Sequence, residues 1–204
     1  LLGDWVYQNP VMVDMGFMGE LPMHPIADNL TSIFSMVALI LFVLWRMKKR
    51  NISTNDLGSL TVRKKDVIFG TLFLAFFIAL EELYMWILGI EMPIGFIEFM
   101  LSKPIVLGLI ATVVIAPVVE EFIFRGFLYS QLSPTKLGPW GAIALSSLLW
   151  TVIHFQYEPK ILLILFVFGL FLGYVRMAYR SLSLPIILHA INNIFAFGMA
   201  YYFF

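Results

Sequence analysis

Residues 105–132 read IVLGLIATVVIAPVVEEFIFRGFLYSQL, and the fold turns on this stretch. It exceeds the roughly 20 mostly apolar residues that a helix needs to cross a hydrocarbon layer about 30 Å thick. Its second half nevertheless carries Glu120, Glu121 and Arg125. Pro117, lying between the two halves, lacks an amide proton and predicts a kink.

Five further stretches satisfy the same length criterion: 26–45, 67–90, 140–155, 161–179 and 184–204. The sequence thus predicts an all-α, polytopic transmembrane bundle of six spans, with all of residues 1–204 in one transmembrane domain. Composition agrees. The 204 residues are 61% hydrophobic and 13% charged, with a mean hydropathy of +0.92. Soluble domains run near 45–50% apolar and about 25% charged. Thirteen basic and 13 acidic residues cancel, leaving no cationic surface for a nucleic-acid partner. Without cysteine there is neither a disulfide framework nor a thiolate metal site. The chain begins at Leu1 rather than Met, so an upstream piece is expected.

Charge gives the bundle a direction. Arg46, Lys48, Lys49 and Arg50 follow the first span, and Arg63, Lys64 and Lys65 precede the second. Lys136 separates spans three and four, while Arg176 and Arg180 leave span five. Only Lys103 and Lys160 fall at the other end. A ten-to-two bias places the basic loops in the cytoplasm and the acidic N-terminal stretch, with Asp4, Asp14, Glu20 and Asp28, outside.

Ionisable residues within a span are costly and point to function or to a pair. Glu121 and Arg125 are four apart on one helical face, acid before base, the favourable order. Glu120 points about 100° away and is left for proton chemistry. His154 ends span four after Trp150, and span six carries His189, Asn192 and Asn193, of which His189 and Asn193 share a face. Counting about 1.5 Å per residue sets Glu120 and His154 roughly 20 Å and Asn193 roughly 15 Å from the basic ends of their spans. That depth permits convergence on a mid-membrane cavity. A helix–helix polar clamp would use the same residue types.

These elements, in this order, resemble the family of CAAX prenyl proteases and bacteriocin-processing enzymes (CPBP, or Abi). Its hallmarks are EExxxR, aromatic-xxx-His and HxxxN on separate helices. Here they stand as Glu120-Glu121-Phe122-Ile123-Phe124-Arg125, Trp150-Thr151-Val152-Ile153-His154 and His189-Ala190-Ile191-Asn192-Asn193. The likeness covers about residues 105–197, the catalytic core it implies, and includes Gly169-Leu170-Phe171-Leu172-Gly173. Trp150 replaces the commoner phenylalanine. Glu81-Glu82 imitates the first motif but has Trp86 where arginine would stand. His24 has no assigned role.

The resemblance implies peptide-bond hydrolysis inside the membrane, on prenylated CAAX proteins or leader peptides; a bacterial plasma membrane is expected, with the site opened to the cytoplasm by the charge bias. Glu120 is expected as general base, with His154 assisting water activation and His189 with Asn193 binding the oxyanion. Glu121 and Arg125 form the structural pair. Zn held by His154, His189 and Glu120 is an alternative, although no HExxH is present; the metal-free account is preferred. The rival class is a non-catalytic transporter or scaffold built on the same polar cluster.

Overall fold

The computed structural model describes residues 25–90 and 105–203. Lys103, His24 and the acids at positions 4, 14 and 20 lie outside them. Among the described residues six long helical runs, with a short 3-10 turn at Thr54–Leu57 between the first two, follow one another: α1 Pro25–Lys49, α2 Lys64–Leu88, α3 over 105–132, α4 Gly138–Val152, α5 Pro159–Tyr179 and α6 Ser183–Phe203. No strand occurs among the described residues beyond an isolated bridge between Ser59 and Ser181. Among the described residues three helices (α2, α5 and α6) are each long and apolar enough to cross a membrane by length and composition. Phe34, Phe69, Phe73, Phe76 and Trp86 face outward, as lipid rather than water requires. The protein is an integral membrane protein.

The chain's connections gather at one end. Ser59 N–H donates to the Arg180 carbonyl (3.0 Å) and Leu182 N–H to that of Ser59 (2.9 Å). Ser130 Oγ donates to the Asp56 carbonyl (2.8 Å) and Ser183 Oγ to that of Leu60 (2.7 Å). The basic α1–α2 connection, the end of α3 and the α5–α6 turn therefore share one face of the bundle. Arg176 departs from expectation: it is buried inside α5, 6% exposed, instead of leaving it.

Helix α3 is not a plain α-helix. It runs α over Ile105–Leu109, π over Ile110–Ile115, α over Ala116–Glu121, π over Phe122–Leu128 and α over Tyr129–Leu132. The expected disturbance at Pro117 takes the form of the first π turn. There the Ala116 N–H reaches back five residues to the Ala111 carbonyl. The next donor in that register would be residue 117, bonding to Thr112, and proline has none. The Thr112 carbonyl is left for another partner.

Packing centres on α5. Its Gly169 and Gly173 let α4 approach closely: a Cβ at Gly173 would sit 2.7 Å from Ile143 Cγ2, and one at Gly169 3.0 Å from Ser147 Cβ. Small residues serve this purpose between membrane helices. Leu74 of α2, Phe124 of α3, Trp150 of α4, Phe168, Phe171, Leu172 and Val175 of α5, and Leu184 and Leu188 of α6 form the main core. Helix α4 stops at Val152, earlier than the expected 155. His154 N–H bonds to the Thr151 carbonyl three residues back and Phe155 N–H to that of Val152, a tightening typical of helix ends. His154 consequently lies in the turn after α4.

Candidate active site

The short α-helical piece between the two π turns ends in Glu120 and Glu121. Arg125, one turn on, donates from Nη1 to Glu121 Oε1 at 3.0 Å, and neither side chain has any exposed surface. Its Nη2 donates to the Gly169 carbonyl at 3.0 Å. The absent Cβ makes room: one at Gly169 would stand 3.1 Å from Nη2. The guanidinium also lies 5.1 Å from the centre of the Trp150 ring, within cation–π range. A buried charge needs such partners.

Glu120 faces elsewhere and keeps 16% of its side-chain surface. Trp150 Nε1–H donates to its Oε2 at 2.6 Å. His189 on α6 stands between the two carboxylates. Its Nδ1 is 3.0 Å from Glu121 Oε1, and its Nε2 is 3.9 Å from Glu120 Oε2. A ring nitrogen facing a carboxylate oxygen carries the proton, so Nδ1–H is the donor and the ring orientation is fixed from that side. Trp150 and Phe168 meet the imidazole edge-on, with centroids 5.6 and 5.7 Å away. One acid is thus neutralised by Arg125 and orients the histidine. The other is held by an indole and stays accessible.

Two expected members bond to backbone carbonyls instead. His154 Nδ1 bonds to the Trp150 carbonyl at 2.8 Å, and its ring lies 4.8 Å from that of Trp150; it borders the cluster from the turn. Asn193 Nδ2 donates to the Thr112 carbonyl at 2.8 Å. This bond supplies the donor missing at Pro117 and ties one of the two amide N–H groups to the α3 backbone. Glu81 and Glu82 lie on α2, outside the cluster. Among the described residues no three His, Asp or Glu side chains stand close enough to hold one metal ion.

The sequence carried signals for two residues it left without a role. Trp150 was visible only as the aromatic of a motif, and Gly169 only as part of a spaced glycine pair. Each turns out to hold one of the charged groups.

Residues 102–195 match the family model described as Type II CAAX prenyl endopeptidase Rce1-like. The match spans all three motifs, as the resemblance implied. No curated protein and no solved structure matches the chain.

Proposed function

We propose, from a chain whose helical core belongs to the CAAX protease (CPBP) family, that the protein is an intramembrane endopeptidase acting through activated water on membrane-associated peptides. CAAX-type prenylated chains and leader peptides are the substrate classes the family suggests. The observation that carries the mechanism is His189 held between two unlike carboxylates, 3.0 Å from Glu121 and 3.9 Å from Glu120.

Glu120 takes a proton from water, the hydroxide adds to the scissile carbonyl, and the same proton passes to the leaving amine. His189, oriented by Glu121, offers Nε2–H in its doubly protonated form to the developing oxyanion, whose charge offsets the imidazolium while Arg125 offsets Glu121. Glu121 relates to His189 as the buried acid of a hydrolytic triad relates to its histidine. Trp150 fixes one oxygen of Glu120 and leaves the other for water. His154 lines the approach. Asn193 uses one amide N–H to set the height of α6 against α3 and has a second to join His189 at the oxyanion. The basic end faces the cytoplasm by the positive-inside bias.

The test is cleavage of quenched-fluorescent peptides, prenylated and unprenylated, by purified protein in vesicles, with and without chelator. Cleavage abolished in Glu120→Gln and insensitive to chelator supports this chemistry. Chelator-sensitive turnover, or equal turnover in Glu120→Gln, overturns it.

A further inference from the structure

We infer that Arg176 is a positioning residue for the site: through the backbone of the second π turn it holds Arg125, and through Arg125 the Glu121–His189 pair. The inference rests on the peptidase reading for its link to turnover.

The second π turn interrupts the usual bonding at Arg125. Tyr129 N–H bonds to the carbonyls of Phe124 and Gly126, passing over that of Arg125. The donor to the Arg125 carbonyl comes instead from Arg176 Nε of α5, at 3.1 Å. The same guanidinium lies 5.2 Å from the centre of the Tyr129 ring. Gly58 closes over it, with φ +110° and no room for a Cβ, which would come within 2.7 Å of Arg176 Cζ. Among the described residues Arg176 has no carboxylate within ion-pair distance. A buried cation spent on a carbonyl, a ring face and a glycine is costly, and all of these contacts converge on one backbone position. That position bears the side chain that neutralises Glu121. The bracket is symmetrical: Asn193 clamps the first π turn at Thr112 and Arg176 clamps the second at Arg125, with the glutamates between.

The readout independent of turnover is the Nδ1–H proton of His189, assigned in ¹⁵N-histidine-labelled protein by its loss in His189→Gln. In Arg176→Gln this signal should shift upfield and exchange faster, while Arg176→Lys restores it in part. Where cleavage is measured, Arg176→Gln should lower kcat about tenfold or more with KM unchanged. Should Arg176→Gln fail to fold, Gly58→Ala displaces the guanidinium from outside the span and should shift the same signal. A folded Arg176→Gln, or failing that Gly58→Ala, with an unaltered His189 proton overturns the inference. Absence of cleavage by the unmodified protein counts against the peptidase reading, while the His189 signal still decides the role of Arg176.

Discussion

Asn193 gives Thr112 the hydrogen bond that the α3 backbone cannot. Its Nδ2 donates to the Thr112 carbonyl at 2.8 Å, where a fifth-residue amide would stand were position 117 not proline. The Asn193→Ala variant leaves a buried carbonyl unpaired, at a cost of about 1–3 kcal/mol. It should therefore lower the melting temperature more than Asn192→Ala does. Pro117→Ala restores an amide at the right place and should recover part of that loss. The coupling is read from a double-mutant cycle of melting curves. Additive losses would dissociate Pro117 from Asn193.

The two adjacent glutamates should fail differently. Glu121 is fully buried against Arg125 and His189, and breaking such a pair typically costs about 3–5 kcal/mol. Glu121→Gln should show most of its effect in thermal melting and expression. Glu120→Gln should melt near the unmodified protein and lose turnover. Equal loss of fold in both would defeat the division of roles.

Gly169→Ala places a methyl 3.0–3.2 Å from Ser147 and Arg125 Nη2, all fully buried. Overpacking of this kind costs about 1–3 kcal/mol, and it pushes Arg125 off the Gly169 carbonyl. Reduced stability with a matching fall in turnover is expected. An unchanged melting temperature would show that α4 and α5 separate freely here.

Tyr157 lies in the turn after α4, outside the spans. Burial pushes its phenol up to about 12, the negative charge of Glu120 adding to the rise and a Gln156 hydrogen bond opposing it. A phenol held neutral in the folded state contributes stability that is complete below its unfolded value near 10. The contribution is lost as pH rises from 10 through 12. The melting temperature should fall more steeply above pH 10 in the unmodified protein than in Tyr157→Phe. Parallel curves would contradict the buried placement.

Orientation is tested with single cysteines in the cysteine-free chain. Cysteine replacing Ser133, beside the gathered basic loops, should react only from the cytoplasmic side. Cysteine replacing Glu158, at the α4–α5 turn, should react only from the other. The reverse pattern inverts the orientation.

The helical class and the Glu121–Arg125 pair were legible because both depend on local spacing. A four-residue interval fixes a shared face wherever a helix forms. The contacts made by Asn193, Trp150 and Arg176 were not legible. Their partners are set by π register and by which carbonyl it releases, and neither is encoded in a hydrophobic pattern. Arg176 looked like a charge leaving its span because it stands near the basic Arg180. The close approach of Gly58 and the free carbonyl of Arg125 turn it inward instead. His154 was placed on a helix because the apolar run continues to Phe155, whereas the α-helix ends at Val152, three residues earlier.

The dependence of Arg125 on the Gly169 carbonyl also bears on how the protein is made. On the six-span expectation, α3 would enter the bilayer with Glu120, Glu121 and Arg125, and a charged residue at mid-membrane costs about 2.5–3.5 kcal/mol on translocon scales. The Glu121–Arg125 pair forms within α3, but Nη2 and Glu120 find their partners only in Gly169 of α5 and Trp150 of α4. His189, from the last helix, arrives later still. During synthesis α3 would then be an incompletely compensated segment, stabilised stepwise as the α4–α5 hairpin and then α6 emerge. A nascent chain truncated before residue 169 should insert α3 poorly, and one extended past α6 should insert it fully.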